Sequence, residues 1–232
     1  MPGVSNIIKN SEKNRIAEIL DPGVRDGGPG ITGQWANASG DIMISDFKDH
    51  AKAFVKIQDG CTNFCSFCKV PLVRSSLKSK GMMSILEEVS GLVAKGFKEI
   101  VLSGICLGAW GQDLEDNGSM KIVDVLRQLD RVRGDFRIRL SSIEPKYITE
   151  ELIDYISSNK MICRHLHIPL QSGDDDILMK MNRPYKAREY MAIIDKAKAK
   201  IKDVAITTDV LIGFPGEAES HFKNTLNLIK NI

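Results

Sequence analysis

From Ala53 onward one pattern repeats along the chain: a short apolar run, then a stretch whose apolar residues recur every three or four positions. The runs at 53–58, 99–104, 136–142, 164–170 and 204–212 read as strands. The stretches at 84–95, 120–130, 149–158, 174–199 and 218–230 read as helices, with Pro184 interrupting the fourth. A side-chain period of two marks a strand, and one of about 3.6 marks a helix. Strands separated by helices pair in parallel through right-handed crossovers, so the chain is of the α/β class.

Three of the strands are not apolar on both faces, as strands covered on both sides would be. In 136–142, Phe136, Ile138 and Leu140 oppose Arg137, Arg139 and Ser141. In 164–170, Leu166, Ile168 and Leu170 oppose His165 and His167, and in 204–212, Val204, Ile206 and Val210 oppose Thr207 and Asp209. Helices are expected over the apolar faces. Arg139, His165, His167, Thr207 and Asp209 are expected to line a polar lumen, with Arg139 and Asp209 as an ion pair, because buried charges need partners. A purely structural polar network is the other reading of the same residues.

The loop after the first strand carries Cys61, Cys65 and Cys68 in C-x3-C-x2-C spacing. Three thiolates this close suit three corners of a cubane iron–sulfur cluster, since thiolate is the preferred ligand of cluster iron. The fourth iron then keeps an open position, as catalytic metal sites do, and could chelate the amino and carboxylate groups of S-adenosylmethionine. A zinc site is the alternative, but zinc usually takes two cysteine pairs, or cysteines with histidines, and Cys106 and Cys163 stand alone. Cys106 reads instead as a small buried thiol. Five cysteines, an odd number, do not make a disulfide framework.

The formal net charge of +2 supplies no global field for nucleic acid. Basic residues cluster locally, at Arg74, Lys78 and Lys80 and at Lys180, Arg183, Lys186 and Arg188. These suit RNA phosphates or simply form solvated faces. No apolar run approaches the roughly 18 residues of a membrane span, and Met1-Pro2-Gly3-Val4 does not open a secretory signal. Free thiols without a signal imply a cytoplasmic protein with no membrane partner. In 5–20, Ser11 is placed to cap a short helix presenting Ile16, Ile19 and Leu20 on one face. Pro22 to Gly40, rich in glycine and proline, reads as a linker.

Beyond the cysteine triplet with Phe67 before its last member, four blocks of sequence resemble one family. They are Ala53-Phe54-Val55-Lys56-Ile57-Gln58-Asp59-Gly60-Cys61, Arg139-Leu140-Ser141-Ser142-Ile143-Glu144-Pro145, His165-Leu166-His167-Ile168-Pro169-Leu170-Gln171-Ser172-Gly173 and Asp209-Val210-Leu211-Ile212-Gly213-Phe214-Pro215-Gly216-Glu217. All are similar to motifs of the radical S-adenosylmethionine methylthiotransferases. The Leu-Ser-Ser-Ile-Glu-Pro form resembles the branch acting on threonylcarbamoyladenosine in tRNA. The branches acting on isopentenyladenosine in tRNA or on a ribosomal protein, and a non-catalytic zinc or RNA-binding module, are the alternatives.

The resemblance implies a partial TIM-type (β/α) barrel with about five of six units present. It divides the chain into 1–45, the tail of an N-terminal domain plus linker, and 46–232, a radical core truncated at its C-terminal end. It implies one [4Fe-4S] cluster on Cys61, Cys65 and Cys68, with S-adenosylmethionine held by Phe67, Ser103, Gly104, Ser142, Glu144, Gln171, Ser172 and Gly213. A 5′-deoxyadenosyl radical would abstract hydrogen from the target, so no acid–base pair is required. The inserted sulfur would come from a second [4Fe-4S] cluster of the full-length protein. The tRNA anticodon stem-loop would be the substrate, and flavodoxin or ferredoxin the electron donor. Lys69, and the segment from Arg74 to Lys80, depart from the family pattern, and lysine does not reproduce arginine's bidentate phosphate grip.

Overall fold

A parallel sheet lies at the centre of the computed structural model, which describes residues 34–36, 42–44, 50–114 and 120–232. The helix expected within 5–20 and most of the expected linker lie outside the described residues. Within that linker and just beyond it, β1 (Gln34–Ala36) and β2 (Ile42–Ile44) pair antiparallel. Met43 is buried, and the Ile44 amide donates to Glu88 Oε1 at 2.8 Å, docking β2 on the first long helix.

Strand β3 (Lys52–Asp59) is followed by the short helix α1 (Val70–Val73), the edge strand β4 (Lys78–Ser79) and helix α2 (Met82–Ala94). Then come β5 (Glu99–Gly104), α3 (Ile122–Leu129), β6 (Arg137–Leu140) and α4 (Glu150–Ser158). The described chain continues with β7 (His165–His167), α5 (Asp175–Lys180), α6 (Ala187–Lys200), β8 (Ala205–Thr207) and α7 (Glu219–Ile229). The main sheet has the order β4-β3-β5-β6, parallel except for β4, and β7 pairs parallel with β8. Single parallel bridges, Ile138 to Ile162 and Ser142 to His167, connect β6 to β7. The five parallel strands thus follow chain order in a curled half-barrel.

Three strands are shorter than the apolar runs imply. The expected 136–142, 164–170 and 204–212 are regular only over Arg137–Leu140, His165–His167 and Ala205–Thr207. Beyond those spans the chain keeps isolated contacts such as Gln171 to Val210. Curling draws neighbouring strands apart toward one end, and a continuous ladder is lost there.

Register fixes the two faces. Ala53 pairs with Ile100 and Val55 with Leu102, while Ile100 and Leu102 pair onward with Ile138 and Leu140. This face is buried under Ile85, Val89, Leu92, Val125, Leu126 and Leu129 of α2 and α3. The opposite face carries Lys52, Glu99 and Arg137 in one row and Phe54, Val101 and Arg139 in the next. The polar lumen is therefore present, but its pairing is not the expected one. Arg139 donates to Glu99 Oε1 at 2.7 Å, and Asp209 lies 3.1 Å from His167 Nε2. Arg139 and Glu99 sit on adjacent, directly paired strands, whereas β8 lies two strands from β6. His165 and His167 both contact Thr207 Oγ1, at 3.0 and 2.8 Å.

Side chains cap two of the helices at their N-termini. Thr149 accepts from the Leu152 amide at 3.2 Å, with Glu150 and Glu151 in the first turn of α4. Asp174 caps α5 by accepting from Asp176 and Ile177. The break at Pro184 is real: α5 and α6 are separate helices with a turn at 181–186 between them. Among the described residues, no helix is long and apolar enough to cross a membrane.

Candidate metal centre

The cysteine loop leaves the carboxyl end of β3, the end where barrels of this kind place their ligands. Gly60 starts it with φ of +77°, and a Cβ there would fall 1.8 Å from the Ser76 carbonyl oxygen. Only glycine fits that approach. The Cys61 amide then donates to the Arg74 carbonyl at 3.1 Å, and the Cys68 amide to the Cys65 carbonyl at 3.0 Å. Cys65 is buried; Cys61 and Cys68 are half-buried.

A turn more than a hundred residues away holds the other side of the loop. The Ser66 amide donates to the Met181 carbonyl at 3.1 Å, and Ser66 Oγ to the Lys180 carbonyl at 2.9 Å. Asn182, at φ of +56°, donates its side-chain amide to the Phe64 carbonyl at 2.9 Å. Arg183 donates to Cys65 Sγ at 3.2 Å and to Glu144. The α5–α6 break thus builds the far wall of the cysteine loop.

Gln58 provides the bracket beneath. It is buried, donates to the carbonyls of Asp59 and Gly60, and accepts from the Cys106 amide at 2.7 Å. Neither this role nor that of Asn182 was evident from the sequence. The available signals were an amide residue just before Asp-Gly-Cys and an asparagine at a helix break.

Three thiols on one loop are the donor chemistry that cluster iron prefers. Among the described residues, ligand atoms of His, Asp or Glu lie within 4.8 Å of one another at Asp174, Asp176 and His221. The Asp174 oxygens are already engaged by the α5 amides and by Asn224 at 2.7 Å. Two N–H groups point at the cysteine sulfurs, from Arg183 to Cys65 and from the Asn63 amide to Cys61 at 3.5 Å. Donors of this kind stabilise charged sulfur.

The remaining expected contacts divide into two groups. Phe67 is exposed beside Cys68; Ser103 and Gly104 end β5, and the latter lies close against Gln58. Ser142 bridges to His167, and Gln171, at φ of +66°, continues from β7 beside Val210. Gly213 faces open space, its amide donating to Glu217 Oε2 at 2.6 Å. Ser172 does not join them. It is fully buried and contacts Thr225 Oγ1 of α7 at 3.3 Å, because the glycine after it packs on the same helix.

Two residues of the basic clusters are likewise not free surface. Lys80 is buried against Glu88 at 2.6 Å, and Arg183 is buried as described. Cys106 is the expected buried thiol: burial pushes it up to about 11, with nearby Cys61 adding to the effect.

A family model described as the radical SAM superfamily matches residues 55–229. The threonylcarbamoyladenosine tRNA methylthiotransferase MtaB of Thermotoga maritima is 38% identical over 187 residues, covering 80% of this chain and 42% of that protein. MtaB of Bacillus subtilis is 37% identical over 234 residues, covering 99% and 51%. The tRNA-2-methylthio-N(6)-dimethylallyladenosine synthase of Clostridium tetani is 42% identical over 187 residues, covering 81% and 41%. The chain therefore spans about half the length, or less, of these relatives. In fold it is similar to the cobalamin-dependent S-adenosylmethionine radical enzyme OxsB, at a TM-score of 0.65, 11% identity, and coverage of 95% of this chain and 35% of that one. It is also similar to coproporphyrinogen III oxidase (HemN) of Escherichia coli, at a TM-score of 0.52, 16% identity, and coverage of 79% and 43%.

Proposed function

Because the chain belongs to the radical SAM superfamily, we propose that Cys61, Cys65 and Cys68 hold a [4Fe-4S] cluster that binds S-adenosylmethionine, in the core of a tRNA methylthiotransferase. One observation carries the reading: a three-thiol loop at the carboxyl end of the first parallel strand, with N–H donors aimed at two of its sulfurs. When bound, such a cluster and S-adenosylmethionine supply reductive carbon–sulfur cleavage and hydrogen abstraction from an unactivated C–H bond.

The chain's own residues supply position. Gln58 and Asn182 fix the loop from two sides. Ser103, Gly104, Ser142, Gln171 and Gly213 follow successive strands and would hold the cofactor along the open rim, with Phe67 against its base. Glu144, held by Arg183, sets one wall of that rim.

Threonylcarbamoyladenosine beside the tRNA anticodon is the target we propose, supported by Leu140-Ser141-Ser142-Ile143-Glu144-Pro145 and by the MtaB relatives. Dimethylallyladenosine is the second reading, since a relative named for that product reaches 42% identity. A low-potential donor such as flavodoxin or ferredoxin would supply the electron.

The test begins with anaerobic reconstitution by iron and sulfide, then reduction with S-adenosylmethionine while 5′-deoxyadenosine is followed. Its appearance, with loss in Cys65→Ala, supports the core reading; zinc retained in place of iron overturns it. Expression of the full-length protein in a host lacking both tRNA methylthio modifications then decides the target by mass spectrometry of digested tRNA. The threonylcarbamoyl nucleoside is expected to gain the methylthio group. Gain on the dimethylallyl nucleoside would establish the second reading.

A further inference from the structure

Arg183 is only 7% exposed. A buried cation is costly unless its hydrogen bonds are met. Here they are divided among three groups: Nη1 donates to Cys65 Sγ at 3.2 Å, Nη2 to Glu144, and Nε to Tyr185 Oη at 3.1 Å. The guanidinium carbon also lies 5.1 Å from the centre of the Tyr185 ring. Tyr185 is itself fixed, its hydroxyl donating to the Leu170 carbonyl at 2.9 Å. A carboxylate alone could take both ends of the guanidinium fork. Instead one end is spent on a thiol sulfur, while the Tyr185 ring packs against the guanidinium.

We propose that Arg183 is a positioning residue that raises the reduction potential of the cluster held at Cys65, with Glu144 opposing it. The inference rests on the cluster reading given above. One-electron reduction, by an external low-potential donor, adds one negative charge to the cluster. A fixed, buried cation at the buried Cys65 sulfur stabilises the reduced form more than the oxidised form. Hydrogen bonds to sulfur, net charge and exposure are the levers by which proteins set such potentials. Glu144 places the compensating negative charge on the far side of the same guanidinium, so removing either residue shifts the local charge in opposite directions.

The experiment is a redox titration of the anaerobically reconstituted chain without S-adenosylmethionine, the reduced cluster being followed by electron paramagnetic resonance. Arg183→Met is expected to titrate at a more negative midpoint than the parent, Arg183→Lys between the two, and Glu144→Gln at a less negative midpoint. A general loosening of the site would not give opposite signs. Midpoints unchanged in Arg183→Met and Glu144→Gln, or moved in the same direction, overturn the proposal. If Arg183→Met retains no iron, Arg183→Lys and Glu144→Gln decide on the same terms. A parent chain that takes up no iron and sulfide overturns the underlying reading as well. A well-formed parent cluster indifferent to both residues overturns the tuning alone.

Discussion

Asn182 donates its side-chain amide to the carbonyl of Phe64 at 2.9 Å, joining two turns 118 residues apart in sequence. One of these turns carries the cysteines, and the other breaks a helix. Asn182 holds a positive φ of 56°, a conformation asparagine tolerates better than most residues. Asn182→Ala removes the bond and strains the turn, and should lower stability by about 1–2 kcal/mol. Urea unfolding measures the loss. Limited proteolysis should show faster cleavage near Phe64, and unchanged cleavage there would mean the loop is held without Asn182.

Gly60 permits no side chain. Its positive φ and the 1.8 Å approach of a Cβ to the Ser76 carbonyl oxygen oblige the loop to move if one is added. Gly60→Ala should cost well over about 1 kcal/mol, more than a compatible glycine substitution changes stability. It should also reduce iron bound per chain after reconstitution, while far-ultraviolet circular dichroism stays near the parent. Full iron loading in Gly60→Ala would show that the sharp entry to the loop is dispensable.

The sequence made the strand–helix alternation, the cysteine loop and the break at Pro184 legible because each is a local signal: a period, a spacing or a proline. Pairing across the lumen was not legible. The alternation correctly put Arg139 and Asp209 on the polar face, but choosing Glu99 as the partner required the lateral register of β5 and β6. Glu99 opens an otherwise apolar run, Glu99–Gly104, and there it resembles a solvated end. The same limit applies to Arg183 and Lys80, whose charges read as surface until distant segments bury them. Nor was the difference between Gln171 and Ser172 legible: neighbours in sequence, the first bonds to the backbone of Asp209 and Leu211 and the second contacts Thr225.

Cys106 should prove distinct from the three loop cysteines. Its thiol lies 3.7 Å from Asn63 Nδ2, close enough to be mistaken for a fourth ligand. Burial, and then neighbouring Cys61, raise its titration to about 11, so it is a protonated packing group at neutral pH. Cys106→Ala should therefore bind iron and sulfide in the parent's ratio, with a stability loss of about 1 kcal/mol for the small cavity. Cys65→Ala should bind neither in that ratio. Loss of iron in Cys106→Ala would make it a ligand.

Glu99 gathers Lys52 at 3.2 Å, Arg137 at 2.5 Å and Arg139 at 2.7 Å around one buried carboxylate. Arg139 contributes most to holding its titration down, from the ordinary 4.5 to about 2, against the opposing effect of burial, with Lys52 and Arg137 assisting. A depressed carboxylate stabilises the fold above its unfolded value and loses that stabilisation as pH falls toward its folded value. The window here therefore runs from about pH 4.5 down to about pH 2. Glu99→Gln cannot titrate and leaves three cations sharing no anion, so the parent should exceed it by roughly 2–3 kcal/mol near neutrality. Urea unfolding of both chains at a series of pH values should show that gap constant down to about pH 5 and narrowing through the acid range. The narrowing distinguishes a charge effect from packing, because a loss of shape complementarity would persist unchanged at every pH. A gap that stays constant to the acid limit would mean Glu99 stabilises the lumen through its volume and hydrogen bonds alone.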